Sequence, residues 1–186
     1  MKRLVIITVG KTHSGKTTFA KSLEQQLNNS LIIDQDNHAE FINTCYKNLL
    51  PKQGPNTLKY AVTQTIIDYS VSHSNSHIII CNSNRTREGR LNLLSHFHKR
   101  EFVSIIVNFD IPYPVLQERV AKSERSTTIF RSASTYKEVL TRQHLESHKN
   151  GVVSPIEGEA DYLFVIKNND DSQSVILKII KIAQSQ

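Results

Sequence analysis

The stretch VGKTHSGKTT, residues 9–18, decides the fold that this sequence predicts. It follows the apolar run Leu4–Val9 and precedes FAKSLEQQL, whose apolar residues recur at helical spacing. Within it, Gly10–Thr17 fits the pattern G-x-x-x-x-G-K-[ST]. Glycines permit a tight turn that points successive backbone N–H groups at one anion, and the following helix adds its positive end. The pattern and its flanks therefore predict a loop that binds the phosphates of a nucleotide.

This loop supplies the residues expected to bind ATP and Mg²⁺. Lys16 is expected to reach the β- and γ-phosphates, and the Thr17 hydroxyl to bind Mg²⁺. His13 occupies a variable position of the pattern, so its side chain is expected to face solvent. The loop residues expected to contact the nucleotide are Gly10, Lys11, Thr12, His13, Ser14, Gly15, Lys16, Thr17 and Thr18.

The composition indicates a globular chain. Of 186 residues, 38% are hydrophobic and 22% are charged, which is typical of one domain with its own core. The longest apolar runs are too short to span a bilayer. Cys45 and Cys81 form neither a disulfide framework nor a metal-ligand spacing. We therefore expect a single domain over residues 1–186, located in the cytoplasm, with no membrane partner.

The positive charge is unevenly distributed. The formal net charge is +6, and residues 119–149 hold seven Lys or Arg against three Glu. This stretch is either a solvated helical face or a cationic element that closes over phosphates. The charge also permits a nucleic-acid partner without requiring one.

Apolar strands alternate with helical patterns five times along the chain. Because each strand is apolar on both faces, the pattern predicts an α/β fold in which helices cover both sides of a parallel sheet. A polar segment at residues 123–134 joins two predicted helices, where a mobile lid would lie. The predicted strands are Leu4–Val9, Leu31–Ile33, His77–Cys81, Phe102–Phe109 and Tyr162–Ile166. The predicted helices are Thr17–Leu27, Asn37–Leu50, one whose buried face is Leu58, Ala61, Val62, Thr65, Ile66 and Tyr69, then Glu88–His98, Val115–Lys122, Thr135–Lys149 and Val175–Ala183.

Acidic residues follow the second predicted strand. The GTPase strings N-K-x-D and D-x-x-G do not occur, whereas a small kinase needs a carboxylate that deprotonates an acceptor hydroxyl. Asp34 and Asp36 stand where such sheets bind ligands, beyond the carboxyl ends of the strands. One of them is expected to cap the following helix and the other to act in catalysis.

Basic residues of the charged stretch complete the predicted site. Arg125 and Arg131 flank the polar lid segment, and Arg119 lies on the helix before it. Closure of a lid would bring guanidinium groups to the transferring phosphoryl and exclude water. Arg119 is as well suited to an ordinary salt bridge as to a phosphate.

The whole chain resembles the small P-loop kinases of the polynucleotide kinase and zeta-toxin type, an AAA-like ATP-binding family related to nucleoside and nucleoside-monophosphate kinases. GKTHSGKTTFAKSL is similar to their opening, and LIIDQDNHAEF to their strand-then-Asp element. The resemblance implies a three-layer P-loop NTPase fold, with a five-stranded parallel sheet in the order 2-3-1-4-5 and a helical lid near 123–134.

The resemblance also implies individual roles. A similar QDD string in nicotinamide riboside kinases carries the acceptor-activating Asp, which selects Asp36, with a further contact to Mg²⁺ through water. VIKNNDDSQSV is similar to the loop that holds adenine, which implies a nucleotide contact by Asn168. Asn82 stands where the family has an Asp after its third strand, so one Mg²⁺-linked carboxylate is missing.

The function expected from these residues is an ATP- and Mg²⁺-dependent phosphotransferase. Its acceptor hydroxyl belongs to a nucleoside, a 5′-OH nucleic acid or another small molecule. Because Asn82 replaces that carboxylate, the sequence is also compatible with a nucleotide-binding regulatory protein that has little catalytic activity. The positive net charge is compatible with a third class, a nucleic-acid-binding module that merely retains the loop.

Two further groups have alternative interpretations. Arg85, Arg87 and Arg90 would bind an acceptor phosphate or a nucleic-acid backbone, or lie on a solvated helix start. His144 and His148 have a spacing compatible with metal binding, but with no third ligand we expect exposed histidines.

Overall fold

The computed structural model describes residues 2–147, 151–168 and 170–186, which form five strands and seven α-helices. The strands are β1 (Leu4–Val9), β2 (Ser30–Asp34), β3 (His77–Cys81), β4 (Val103–Phe109) and β5 (Tyr162–Ile166). The helices are α1 (Lys16–Gln26), α2 (Gln35–Cys45), α3 (Thr57–His73), α4 (Arg87–His98), α5 (Tyr113–Ala121), α6 (Tyr136–Glu146) and α7 (Asp171–Gln184).

The strands form one parallel sheet in the order β2-β3-β1-β4-β5. β1 lies at the centre, where Val5 is in register with Ile78 of β3 and with Ser104 of β4. The α/β class and the strand order expected from the sequence are therefore confirmed. All five strands end at the same edge of the sheet, so the loops after them meet there.

Alternate residues of β1 pack into two separate hydrophobic clusters. Leu4 and Ile6 belong to one cluster, together with Phe19 of α1, whereas Val5 and Ile7 belong to the other. Side chains of successive strand residues point to opposite faces, so a central strand that helices cover on both sides is apolar on both faces. Helices α1 and α7 contribute to the first cluster, and α3 and α4 to the second, which gives three layers.

The edge strand β5 is apolar, as expected, but the helices do not cover it completely. Tyr162 and Val165 there are 39% and 42% exposed, whereas every residue of β1 and β3 is buried. An edge strand has a neighbour on one side only, and the flanking helices cover it less completely.

The predicted helix Asn37–Leu50 is shorter in the structure. α2 ends at Cys45, and a short 3-10 turn, Lys47–Leu49, follows. Leu49 is 64% exposed, so the segment after Cys45 has no buried apolar face that would hold it in the helix.

The face of α3 that packs on the core differs from the predicted one. Thr63, Ile67, Ser70 and Val71 are buried, whereas Tyr69 is 66% exposed. The buried hydroxyls donate to carbonyls of their own helix, Thr63 Oγ1 at 2.9 Å and Ser70 Oγ at 2.7 Å. Because these bonds satisfy the hydroxyls, the polar residues can lie in the core. A prediction based on the spacing of apolar residues alone therefore selects the wrong face of α3 as the buried one.

The lid segment, residues 123–134, joins α5 to α6 through turns and contains no helix of its own. The helices on either side hold its two ends. In the part of the chain that the structure describes, no helix is both long and apolar enough to cross a bilayer.

Candidate active site

The loop after β1 is packed against the ends of the neighbouring strands. Gly10 N donates to Ser83 O at 3.0 Å, and a Cβ atom at Gly10 would lie 3.0 Å from both Phe109 Cβ and Ser14 Oγ. Gly10 and Gly15 have φ values of 151° and 101°, which residues with a side chain rarely adopt. Gly10 therefore serves the close approach of the loop to the sheet.

The Lys16 ammonium lies over this loop. Its Nζ donates to Lys11 O at 2.6 Å and to Ser14 Oγ at 3.2 Å. Burial lowers the pKa of Lys16 to about 8. A partly desolvated cation at a helix N-terminus, surrounded by backbone N–H groups, is well placed to bind phosphate.

A cavity of about 1270 Å³ opens above the loop, at the carboxyl edge of the sheet. Most of the residues expected from the sequence line it together, namely Thr12, His13, Ser14, Gly15, Lys16, Thr17, Thr18, Asp36, Arg119, Arg125 and Arg131. Three expected residues are absent from its described lining, namely Gly10, Lys11 and Asn168. The Lys11 side chain lies near Asp110 and Arg85 instead.

Asn168 has a local role at the start of α7. Its Oδ1 accepts hydrogen bonds from Asp170 N at 2.9 Å and Asp171 N at 3.1 Å. Ser172 and Gln173, on the first turn of α7, line the cavity in its place. The Asn168 side chain thus bonds to the backbone at the start of α7 rather than lining the cavity, and its expected contact with the nucleotide stays a prediction.

Asp34, the last residue of β2, and Asp36, in the first turn of α2, have different environments. Asp34 Oδ1 accepts from Asp36 N at 2.9 Å and caps α2, which confirms that one of the pair is a cap. Burial raises the pKa of Asp34 above its usual range. Asp36 is half-exposed, and its Oδ2 lies 3.6 Å from Arg125 Nη2. Asp36 is thus the more accessible carboxylate, while Asp34 lies deeper in the same cavity.

A buried thiol links Asp34 to the phosphate-binding loop. Cys81 Sγ is 3.7 Å from Thr17 Oγ1 and faces the Asp34 carboxylate, with which it is in register across the sheet. Burial, reinforced by the negative charge of Asp34, raises the pKa of the Cys81 thiol to about 12. Sequence analysis missed this contact, although the ends of adjacent strands were a signal that the two side chains meet.

A Mg²⁺ ion that accompanies a bound nucleotide would need oxygen ligands beside the phosphate-binding loop. Within residues 2–147, 151–168 and 170–186, no three His, Cys, Asp or Glu side chains cluster as a metal site. Mg²⁺ in nucleotide sites takes only one or two protein ligands beside phosphates and water. The Thr17 hydroxyl and the Asp34 carboxylate, on either side of Cys81, fit that requirement.

Asn82 occupies the position where the resemblance implied a carboxylate. Its Nδ2 donates to Gln35 Oε1 at 2.7 Å, and its Oδ1 accepts from Ser83 N at 2.7 Å. The amide therefore joins the start of α2 to the loop after β3. It orders the edge of the cavity without supplying a negative charge.

His13 is not solvent-facing, contrary to the expectation from its position in the pattern. Its Nε2 lies 2.7 Å from Ser123 Oγ, and its ring packs edge-on against Tyr136 with centroids 4.7 Å apart. Its carbonyl accepts from Arg119 Nη1 at 3.1 Å. Burial, together with the positive charges of Arg125, Lys16 and Arg119, lowers the pKa of His13 to about 4. The loop is thus joined to both ends of the lid segment.

The other side of the lid segment contacts α2. Thr128 Oγ1 donates to Glu40 Oε1 at 2.8 Å, and Asn43 Nδ2 donates to Thr128 O at 2.7 Å. Arg131 donates to the carbonyls of Pro51, at 2.5 Å, and Gly54. The segment therefore bridges the cavity from the phosphate-binding loop to the loop after α2.

Two of the clustered arginines after β3 are structural. Arg90 is fully buried and forms an ion pair with Glu159 at 2.9 Å, so both alternatives given for it are wrong. Arg85 donates to the Gln143 carbonyl and lies 3.3 Å from Glu146. These contacts join the loop after β3 to α6 and to the segment before β5.

One member of the histidine pair, His144, packs against an aromatic ring. His144 is half-buried, and its ring stacks on Tyr113 at a centroid distance of 4.0 Å, so the expected exposure is wrong. His148 lies outside the described residues.

A family model described as an AAA domain matches residues 5–148. A search of curated proteins gave no significant match to this sequence. The family match spans the phosphate-binding loop, the acidic residues after β2 and the lid segment.

Solved structures with the same fold include several kinases. Shikimate kinase from Bacteroides thetaiotaomicron is 16% identical, with 97% of this chain and 98% of that chain covered and a TM-score of 0.59. APS kinase from Mycobacterium tuberculosis, in complex with AMPPNP and APS, is 15% identical, with 95% and 98% covered and a TM-score of 0.57. Chaetomium thermophilum Kti12, in complex with ADP-AlF3, is 14% identical, with 94% and 96% covered and a TM-score of 0.63.

Proposed function

We propose that this chain transfers the γ-phosphoryl group of ATP to an acceptor hydroxyl. The chain belongs to the AAA domain family and has the fold of small P-loop kinases, and both support this proposal. One observation carries this proposal. Lys16, Thr17, Asp36 and Arg125 line a single cavity at the carboxyl edge of the sheet. In this proposal they serve as the phosphate-binding cation, the metal-binding hydroxyl, the acceptor-facing carboxylate and the guanidinium that stabilises the transferring group.

The phosphate-binding loop holds the nucleotide in this proposal. Lys16 and the loop N–H groups bind the β- and γ-phosphates, as the loop pattern requires. Arg119 fixes the loop through the His13 carbonyl and adds positive charge beside Gly15. Mg²⁺, held by Thr17 and Asp34, neutralises part of the phosphate charge.

Asp36 is the proposed general base. It is half-exposed to the cavity and takes the proton of the acceptor hydroxyl as the new O–P bond forms. The bond between the γ-phosphorus and the oxygen that bridges it to the β-phosphate breaks in the same transfer, and ADP leaves. Arg125, 3.6 Å from Asp36, also stacks over the Tyr136 ring at 5.3 Å. This position lets the guanidinium steady charge on the transferring group while it orients the base.

The lid segment excludes water from the transfer, because it contacts both walls of the cavity. Water at this point would divert the phosphoryl group to hydrolysis. Arg131 donates to the carbonyls of Pro51 and Gly54, so we assign it to the acceptor wall rather than to the transferring phosphoryl.

The test follows phosphate from γ-labelled ATP into a panel of acceptors. The panel contains 5′-OH DNA and RNA oligonucleotides, nucleosides, nucleoside monophosphates, sugars and amino alcohols. We expect one class to be labelled by the natural sequence and not by Lys16→Ala or Asp36→Asn. Full transfer by Asp36→Asn would exclude Asp36 as the base and leave the phosphotransferase intact.

A second candidate function is a nucleotide-dependent regulatory protein. The observation that favours it is Asn82, whose neutral amide stands where the resemblance implied a metal-linked carboxylate. Acceptor-stimulated ADP release distinguishes the two functions, because a regulatory protein would release ADP at the same rate with every acceptor.

We further propose a cytoplasmic location. Cys45 and Cys81 are both free thiols, and Cys45 is exposed, which is typical of proteins in reducing compartments. Nucleic acid remains one acceptor class in the panel rather than an assigned partner.

A further inference from the structure

One end of the cavity lies beside α2, the loop after it and the start of α3. We call this end the acceptor half, and it is lined by Asp36, Glu40, Asn56, Lys59, Tyr60 and Arg131. It lies on the far side of Asp36 from the phosphate-binding loop in the proposed function. Whatever binds here must satisfy the charges of these side chains.

The carboxylates at this end already have partners in the protein. Asp36 lies 3.6 Å from Arg125, and Glu40 accepts from Thr128 Oγ1 at 2.8 Å. Asp34, just below them, caps α2. Their negative charge is therefore partly compensated before any ligand binds.

The cations at this end lack such partners. Within the described ranges of the chain, no carboxylate lies within ion-pair distance of Lys59 or Arg131. Arg131 is bonded to two backbone carbonyls, which satisfy hydrogen bonds but leave its charge unbalanced. Lys59 Nζ lies 4.9 Å from the Tyr60 ring centroid.

Lys59 is also partly withdrawn from water. Burial lowers its pKa, and only the charge of nearby Asp36 opposes the shift. Asn56 Oδ1 accepts from Lys59 N at 3.1 Å and fixes the first turn of α3, from which the side chain enters the cavity. A desolvated ammonium that no anion contacts is costly, and a bound anion would offset part of that cost.

We propose that the acceptor carries an anionic group, a carboxylate or a phosphate, which binds Lys59 with support from Arg131. This inference rests on the proposed function, since it names the chemical class of the hydroxyl acceptor. The anionic group binds at α3 and directs the hydroxyl towards Asp36. A neutral acceptor of the same shape leaves both cations without an anion.

The experiment compares matched acceptors that differ in the anionic group. The pairs are glycerol with D-glycerate, sorbitol with D-gluconate, glucose with glucose 6-phosphate, and adenosine with AMP. Each is tested for transfer from γ-labelled ATP and, separately, for binding to the AMPPNP-saturated chain by calorimetry. The carboxylate and phosphate pairs distinguish the two sources of anion.

The variants are Lys59→Met, which removes the charge, and Lys59→Arg, which keeps it. Lys47→Met is the matched control, because Lys47 is exposed and absent from the cavity lining. We expect at least one anionic acceptor to exceed its neutral partner about tenfold in kcat/KM. Lys59→Met should abolish that preference, whereas Lys59→Arg and Lys47→Met should retain it.

The outcomes separate the two proposals. Transfer to a neutral acceptor that is as fast as to its anionic partner and is unaffected by Lys59→Met overturns the anionic acceptor and leaves the phosphotransferase. If an anionic compound binds in a way that depends on Lys59 but no acceptor is phosphorylated, the anion site is supported and the proposed phosphotransferase activity is contradicted. If no acceptor of the panel is phosphorylated and none shows binding that depends on Lys59, the inference is overturned.

Discussion

His13 Nε2, in the phosphate-binding loop, lies 2.7 Å from the hydroxyl of Ser123, the first residue of the lid segment. The two residues are 110 positions apart in the chain. The imidazole also contacts Thr12 Oγ1 at 3.0 Å and the Tyr136 ring. The loop that would bind phosphate is therefore mechanically joined to the segment that would close over it.

We expect loss of this hydrogen bond to loosen the lid. His13→Asn tolerates the positive φ of 58° at this position but is too short to reach Ser123. We predict more ATP hydrolysis per phosphoryl transferred, with a stability loss of about 1 kcal/mol. The measurement is the ratio of hydrolysis to transfer, together with urea denaturation.

Ser123→Ala removes the other partner of the same bond. The double variant should be no worse than His13→Asn alone, because that variant has already lost the hydrogen bond to Ser123. Fully additive losses would show that His13 and Ser123 act independently.

The stability of the chain should depend on the titration of His13. Its pKa is lowered from 6.5 to about 4 in the folded state, so the unfolded state binds the proton more tightly. The stability contributed by the neutral imidazole is present above pH 6.5 and is lost as the pH falls towards 4. Denaturation of the natural sequence and of His13→Asn across this window measures the difference. Parallel curves would rule out this contribution.

The buried pair of Arg90 and Glu159 should contribute strongly to stability. Their side chains are 0% and 1% exposed, and Arg90 also donates to the carbonyls of Asn84 and Arg85. Arg90→Met leaves the Glu159 carboxylate buried and unpaired, at an expected cost of about 3–5 kcal/mol. Chemical denaturation measures this cost. Adding Glu159→Leu should restore part of it, and no recovery would mean that the carbonyl contacts dominate.

The two cysteines should differ in reactivity. Cys81 is 2% exposed and its pKa is raised to about 12, whereas Cys45 is exposed. Since the thiolate is the reactive form, a thiol reagent should modify Cys45 rapidly and Cys81 only after denaturation. Cys45→Ser in the native state should give almost no reaction. Rapid labelling of that variant would contradict the buried environment of Cys81.

The phosphate-binding loop and the sheet were predictable because their signals are local. Gly10–Thr17 contains its whole signal within one short stretch, and the buried residues of β1 and β3 are apolar except for Thr8 and His77. The order of the strands came from the resemblance to a family and was confirmed by the structure.

Contacts between distant residues were decided only by the tertiary structure. The pairing of Asp36 with Arg125 and the placement of Arg131 on the loop after α2 join segments that no sequence period connects. The buried face of α3 also escaped prediction, because Thr63 and Ser70 satisfy their hydroxyls within the helix. Local sequence patterns determine the conformation of the backbone, such as a strand or a tight turn. Which side chains contact one another, and which cations can bind a ligand, depends on how the distant segments pack together.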